Sequence, residues 1–169
     1  MDYLSKLGFV EATTIQRETQ IIQKYVNFKM LFTKTCSKMH DLTRIVRSRD
    51  AYECFLQNFE EGQIAVKEFF YCMALNRNCR LLGILKVSEG GLTGTVADLR
   101  IIVKFLIDVQ ASATIICHNH PSGNLEPSIS DKDLTKKFRV ALQICDIDLN
   151  DHIIITPDDY YSMLDHGDL

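Results

Sequence analysis

The sequence predicts an α/β fold in which a mixed β-sheet is flanked by helices. Two apolar runs, residues 66–75 and 81–87, lie on either side of an Asn-Arg-Asn turn at residues 76–78, which predicts an antiparallel hairpin. Further along the chain, segments with helical periodicity alternate with short strand-like runs, which is typical of αβ units. A sheet with both kinds of connection is expected to be buried between helices on its two faces.

The first part of the chain is predicted to contain an arm and a helix before the hairpin. Residues 1–44 are expected to form an N-terminal arm, and the mixed periodicity of residues 10–30 within it predicts pairing or swapping with a second copy of the chain. Residues 50–59 have the apolar spacing of a short helix, for which Ser48 or Asp50 would be the N-cap.

The second part of the chain is predicted to alternate between helix and strand. An amphipathic helix over residues 96–109 leads to residues 113–117, a short run rich in β-branched residues that predicts a buried strand. A helix over residues 131–144 and a strand over residues 151–156 follow, and residues 160–163 are expected to form a short terminal strand.

The composition is that of a globular protein. The chain has 169 residues, of which 46% are hydrophobic, and its mean hydropathy is −0.03. We therefore expect residues 45–169 to form one well-buried domain. A net charge of −3 and an isoelectric point near 5.9 give no global attraction for nucleic acid, which usually requires a basic face.

Cysteine usage and the lack of long apolar segments predict the compartment. The 6 cysteines lie at irregular spacing with no Cys-x-x-Cys pair, so we expect them to be reduced and buried rather than joined in disulfides. There is no run of 18 apolar residues and no basic-then-apolar N-terminal signal. These observations predict a cytoplasmic protein without a membrane partner.

Residues 118–131, with the sequence HNHPSGNLEPSISD, carry the chemistry of a candidate metal site. His118 and His120 follow the strand of residues 113–117, and side chains two residues apart on an extended chain point the same way. Asp131 supplies a third potential ligand after a loop that contains proline and glycine. Two histidines with one carboxylate predict an open catalytic zinc site, because catalytic Zn²⁺ usually keeps three protein ligands and a water.

Side chains next to the histidines are expected to face away from this site. Cys117 precedes His118 on the strand, so alternation directs it to the opposite face and it is not expected to be a ligand. Asn119 lies between the two histidines and, for the same reason, is expected to brace a loop.

Structural interpretations of the same residues remain open. Two histidines near a strand end are often hydrogen-bonded structure, and Ser128 with Asp131 has the spacing of a helix capping box. The letters HNH do not indicate an HNH nuclease, in which those residues are spread over a ββα unit. A zinc deaminase is disfavoured because it would show His-x-Glu followed by Pro-Cys-x-x-Cys.

The ligand spacing, together with Ser128, resembles the zinc motif of the JAMM (JAB/MPN+) metalloprotease family, and the string HNHPSGNLEPS resembles its RadC-like branch. Similar segments occur in the same order over residues 45–169, namely SRDAY at 48–52, EFF at 68–70, VSEGG at 87–91, TVAD at 95–98 and DHIII at 151–155. The resemblance implies the three-layer JAB/MPN fold, which is similar to that of cytidine deaminases. It also implies a Zn²⁺-dependent hydrolase of peptide or isopeptide amide bonds.

The resemblance assigns two catalytic roles beyond the metal ligands His118, His120 and Asp131. A JAMM site needs a glutamate from an earlier strand as general base, and Glu68 matches that position. Glu89 is the alternative, and Glu126 is disfavoured because the metal loop would have to fold back over its own ligands. Ser128 would donate a hydrogen bond to the developing oxyanion or orient the attacking water.

Two other functions are alternatives to hydrolysis. The first is a DNA-repair or recombination accessory protein with a structural or vestigial zinc site, but residues 1–44 show no obvious equivalent of the helix-hairpin-helix segment of longer relatives. The second is a metal-free interaction scaffold, which retention of the ligands disfavours. We expect a peptide or isopeptide substrate and a homo-oligomer formed through residues 1–44, and the composition disfavours a nucleic-acid partner.

Overall fold

The computed structural model describes residues 43–59, 62–90 and 97–169. Within these ranges the elements are, in chain order, α1 (Ser48–Leu56), β1 (Phe69–Leu75), β2 (Leu81–Glu89), α2 (Leu99–Asp108), β3 (Ala113–Asn119), α3 (Ile129–Gln143), β4 (Asp148–Ile155) and β5 (Tyr160–Ser162). The arm predicted to pair or swap at residues 10–30 lies outside the described residues.

The five strands form one mixed sheet in the order β2-β1-β3-β4-β5. β1 pairs antiparallel with both β2 and β3, β3 pairs parallel with β4, and β5 pairs antiparallel with β4. The parallel pair is joined through α3, because a chain that pairs in parallel must first return to the end of the sheet where the previous strand began. The predicted hairpin and the predicted mixed sheet are therefore confirmed.

Helices cover both faces of the sheet. On one face, Ala51 and Phe55 of α1 belong to a buried cluster with alternate residues of β1 and β3. On the other face, Phe138 of α3 packs edge-on against Phe70 of β1, with ring centroids 6.0 Å apart. Every residue of β1 and β3 is buried because both faces of these strands are covered. The predicted three-layer arrangement is confirmed.

The N-terminus of α1 differs from the prediction. The helix begins at Ser48 and its N-cap is Arg47, so neither Ser48 nor Asp50 is the cap. The Asp50 carboxylate, in the first turn, accepts hydrogen bonds from the backbone N–H groups of Val46 and Arg47 at 3.0 and 2.9 Å. Asp50 thus lies within the first turn and accepts from backbone N–H groups that precede the helix. The helix can therefore begin at Ser48, before the position that a cap at Asp50 would give.

The first strand begins at Phe69 rather than at residue 66, because Asn119 holds the preceding segment in a loop. The Asn119 amide nitrogen donates to the carbonyl groups of Ile64 and Lys67, at 2.7 Å each. Its amide oxygen accepts from the Phe69 N–H at 2.7 Å. Asn119 is completely buried, so the expectation that it braces a loop is confirmed. The brace fixes the backbone on both sides of Glu68.

Two other boundaries are shifted for local reasons. α2 begins after Asp98, whose carboxylate accepts from the Arg100 N–H at 2.9 Å and caps the helix. β4 begins at Asp148, because the backbone there already pairs with Ala113 of β3. The polar side chains at the start of β4 concealed this part of the strand from the hydrophobic pattern.

The described cysteines are all free thiols, as expected. Cys117 is buried in the cluster beneath α1, on the opposite side of β3 from His118, and is therefore not placed to be a ligand. The expectation that every cysteine is buried is wrong, because Cys145 is exposed just after the end of α3. No helix in the described ranges is long and apolar enough to cross a lipid bilayer.

Replacement of Asn119 by alanine is expected to lower the free energy of unfolding by about 3 kcal/mol, since three buried hydrogen bonds are lost at about 1 kcal/mol each. The matched control is Asn58→Ala, because the exposed Asn58 side chain donates one hydrogen bond, to the Cys54 carbonyl. Urea unfolding followed by circular dichroism measures both variants. Equal losses for Asn119→Ala and Asn58→Ala would show that the loop is not held by this side chain.

Candidate metal centre

Three side chains from the predicted motif meet at the end of β3. His118 lies in the strand, His120 follows one residue beyond it, and Asp131 lies in the first turn of α3. The two histidine Nε2 atoms are 2.9 Å apart. Asp131 oxygens lie 3.3 Å from His118 Nε2 and 3.7 Å from His120 Nε2. The structure thus brings together all three predicted ligands.

The spacing of these atoms fits a metal ion of the size of zinc. Tetrahedral Zn²⁺ with ligands at about 2.0–2.1 Å requires about 3.3 Å between ligand atoms, and the three observed distances lie around that value. Two imidazole nitrogens and one carboxylate oxygen are also a donor set that zinc accepts. Over residues 43–59, 62–90 and 97–169 no other group of three His, Cys, Asp or Glu side chains could hold a metal ion.

The loop after β3 fixes the orientation of His120. Its Nδ1 atom lies 2.6 Å from the Asn124 carbonyl oxygen, and a carbonyl only accepts, so Nδ1 carries the hydrogen and Nε2 faces the centre. The loop turns back at Gly123, whose φ of +79° favours glycine. A hydrogen bond with Asp131 raises the pKa of His120 from its ordinary value, although burial opposes this.

Asp131 is held as a carboxylate between the histidines and the start of α3. Its Oδ2 atom accepts from the Ser128 N–H at 2.8 Å. Burial raises the pKa of Asp131, but hydrogen bonds from His118 and His120 outweigh burial and hold that pKa well below the usual range of a carboxyl group. The third candidate ligand is therefore ionised at neutral pH, as coordination requires.

Ser128 is the N-cap of α3. Its hydroxyl accepts from the Asp131 N–H at 3.2 Å and donates to the Asp131 carboxylate at 2.5 Å, and together with the Ser128 N–H these bonds complete a capping box. The structural interpretation of this spacing is thus correct, and the same bonds aim Asp131 at the two histidines. The role of Ser128 toward an oxyanion stays a prediction.

An open cleft of about 510 Å³ adjoins the centre at His120, and Glu68, Ser128 and Glu126 also line it. Glu68 is half-buried and directly precedes β1. The alternative base, Glu89, does not line this cleft. Its carboxylate is bound by Lys67 and Lys86 at 2.7 and 3.0 Å, and the bond from Lys67 is the main reason that its pKa is lowered. The structure therefore favours Glu68 over Glu89 by position.

Two residues beneath the centre were missed by the sequence reasoning. His118 Nδ1 lies 2.8 Å from His152 Nε2, and His152 Nδ1 lies 2.6 Å from Thr135 Oγ1. Thr135 Oγ1 in turn donates to the Asp131 carbonyl at 2.6 Å. His152 is fully buried, and burial, followed by the charge of His118, lowers its pKa well below the ordinary value. The sequence did contain a signal for His152, because it is an ionisable residue within the apolar run DHIII. Glu68 was chosen as a candidate on the same ground, as a charged residue within an apolar run.

Fold and site together define a class of protein: a three-layer α/β domain with a His-His-Asp centre at the end of a central strand. A family model described as the RadC-like JAB domain matches residues 45–168. The chain therefore belongs to the RadC-like JAB domain family, as the sequence resemblance predicted.

Relatives in this family share the domain and extend beyond it. The chain is 38% identical over 126 residues to a UPF0758 protein of Flavobacterium johnsoniae, an alignment that covers 75% of this chain and 54% of the relative. It is 41% identical over 100 residues to a UPF0758 protein of Pseudomonas fluorescens, covering 59% of this chain and 45% of the relative. The chain thus spans about half the length of these curated relatives.

Replacement of Ser128 by alanine is expected to lower the free energy of unfolding by about 1 kcal/mol, because an N-cap side chain is lost. Ser128→Asn should recover most of that loss, since asparagine caps helices about as well as serine. Ser122→Ala, in the loop before the helix, is the control. Denaturant titrations in the presence of a chelator isolate the capping effect, and indistinguishable alanine and asparagine variants would contradict it.

Proposed function

We propose that this protein is a zinc-dependent hydrolase that cleaves peptide or isopeptide amide bonds. The observation that carries the proposal is the convergence of two imidazoles and the Asp131 carboxylate at zinc-compatible spacing, next to a cleft that Glu68 also lines. A family built on the RadC-like JAB domain supports it.

The side chains of His118, His120 and Asp131 would hold Zn²⁺. When bound, the ion would supply Lewis-acid chemistry, lowering the pKa of a water to about 7 and polarising a substrate carbonyl. Of the three side chains, His120 lines the cleft, so a substrate bound in the cleft would lie next to the centre.

Glu68 is the proposed general base. Its side chain borders the same cleft as His120, and the Asn119 brace fixes the backbone on either side of it. In the proposed reaction the carboxylate accepts a proton from the attacking water as oxygen bonds to the amide carbon. The same proton is then delivered to the nitrogen as the carbon–nitrogen bond breaks, so the products are a carboxylic acid and an amine, which at neutral pH become a carboxylate and an ammonium group.

Ser128 is the proposed donor to the oxygen of the scissile carbonyl. Its hydroxyl donates to Asp131 in the structure, and in the reaction the developing oxyanion would compete for that hydrogen. Such donors are worth on the order of 3 kcal/mol in the transition state. Because Ser128 also caps α3, variants at this position change both stability and rate, and the two effects must be measured separately.

An extended peptide segment is the substrate that the cleft suits best. The cleft is open to solvent and its described rim includes the exposed side chains of Glu126 and Ile129, so it offers a polar and an apolar contact along one side. The acidic net charge of −3 offers little for the phosphate backbone of DNA. A cytoplasmic location, in keeping with free thiols among the described cysteines, is part of this proposal.

Wild-type protein is expected to bind one zinc ion per chain, and His118→Ala, His120→Ala and Asp131→Ala are each expected to lose it, because removal of one of three ligands removes much of the chelate. Metal content after dialysis, measured by mass spectrometry, tests this. His166→Ala is the matched control, since that imidazole stacks on Tyr161 away from the centre. Unchanged zinc content in all three ligand variants would refute the site.

Glu68→Gln is expected to retain zinc and stability while losing at least about 10²-fold in hydrolysis, the usual contribution of a general base. The assay uses a panel of peptide and isopeptide substrates, on which wild-type activity should be abolished by chelator and restored by zinc. Glu89→Gln is the control, because that carboxylate is held by two lysines outside the cleft.

Two results would overturn this assignment. If Glu68→Gln were active and Glu89→Gln inactive, the general base would be Glu89 and not Glu68. Tight, structure-selective DNA binding that survives both chelation and His118→Ala, with no hydrolysis of any substrate, would replace the hydrolase with a DNA-repair accessory protein.

A further inference from the structure

We propose that His152 and Thr135 are positioning residues that set the proton order of the centre, so that His118 donates its Nδ1 hydrogen to His152 and its Nε2 atom is left to bind the metal. The inference rests on the proposed zinc site and adds to it two residues from outside the motif. The observations are the three consecutive contacts from His118 through His152 and Thr135 to the backbone of Asp131.

The proton order is decided at Thr135. Its Oγ1 atom lies 2.6 Å from the Asp131 carbonyl oxygen and 2.6 Å from His152 Nδ1. A carbonyl oxygen has no hydrogen, so the hydroxyl must donate to it, because two oxygens at that separation without a proton between them repel. The hydroxyl hydrogen is thereby used, and toward His152 the oxygen can only accept.

The order then propagates through the imidazole to the metal ligand. Because Thr135 accepts, His152 Nδ1 carries the hydrogen, and a neutral imidazole has only one. His152 Nε2 must therefore accept from His118 Nδ1, 2.8 Å away. His118 Nδ1 therefore donates, and Nε2, which is directed at His120 and Asp131, is the nitrogen left for the metal.

The opposite order would close the site. If the threonine hydroxyl donated to His152, each hydrogen in the chain would move to the other ring nitrogen, and His118 would carry its hydrogen on Nε2, inside the centre. Nothing at the motif itself prevents this, because His118 Nδ1 meets only another imidazole. The carbonyl of Asp131 breaks the symmetry, and it does so from the helix that carries the third ligand.

Burial keeps the chain of contacts intact. His152 is 0% exposed and His118 is 1% exposed. Phe70 stacks on the His118 ring with centroids 6.1 Å apart and also flanks His152 at 6.0 Å. Water therefore has no access from which to supply an alternative partner, and the unpaired arrangement of any member would be costly.

The first experiment compares zinc affinity in matched variants. Thr135→Val removes the hydroxyl with little change of shape and should weaken zinc binding 10- to 100-fold, the usual range for outer-shell partners of metal-ligating histidines. Thr135→Ser should restore it. Thr114→Val is the control, because Thr114 is a fully buried threonine on β3 that donates to the Met73 carbonyl outside this chain of contacts.

The second experiment reads the proton order directly in the zinc-free protein. Long-range ¹⁵N–¹H spectra of wild type should show His118 and His152 both protonated on Nδ1. In Thr135→Val the His152 Nδ1–H has lost its acceptor, so a population of His118 that lacks the Nδ1 hydrogen should appear. Thr135→Ser should return the wild-type pattern, which a merely structural role for the hydroxyl would not require.

The outcomes separate this inference from the proposed function. If wild type binds zinc but Thr135→Val binds it as tightly, or if His118 Nδ1 carries no hydrogen in the zinc-free wild type, the positioning role is wrong while the hydrolase proposal stands. Equal weakening by Thr114→Val would assign the effect to general destabilisation and would also overturn it. A wild-type protein that binds no zinc overturns the proposed function itself, and with it the purpose of the proton order.

Discussion

The burial of two imidazoles between the sheet and α3 is the constraint on which the candidate centre depends. An imidazole removed from water requires a partner for each ring nitrogen. For His118 and His152 those partners come from one another, from Asp131 and from Thr135. α3 must therefore lie with its first two turns against the end of β3, and packing of Phe138 on Phe70 holds it there. The apolar core and the polar centre are stabilised by the same placement of one helix.

Two adjacent residues of β3 organise opposite sides of the candidate site. His118 projects toward α3 and supplies a candidate ligand, whereas Asn119 projects the other way and binds the loop that precedes β1. Because strand alternation fixes this division, displacement of the strand end would move the ligand and the proposed base together. Their relative position is thereby less sensitive to small distortions than if each depended on a separate loop.

The sequence predicted the parts of the site whose residues are close together along the chain and missed those that are far apart. His118, His120 and Asp131 lie within one short segment, so alternation and one loop sufficed to bring them together. His152 and Thr135 join the centre only through the parallel register of β3 and β4 and the packing of α3. That register is a tertiary property which hydrophobic periodicity does not encode. The start of α1 was also predicted wrongly, because Asp50 lies inside the helix and accepts hydrogen bonds from the backbone N–H groups of Val46 and Arg47, which precede it.

The double engagement of Asp131 has a consequence for the evolution of such domains. Its carboxylate belongs to the capping box of α3 as well as to the candidate centre. A lineage that abandoned metal binding would be free to exchange His118 and His120, but selection for a stable helix would continue to retain an acidic residue at this position. Retention of the aspartate is thus a poor indicator of metal binding among diverged homologous domains. Loss of the two histidines would be the better indicator that a domain no longer binds a metal.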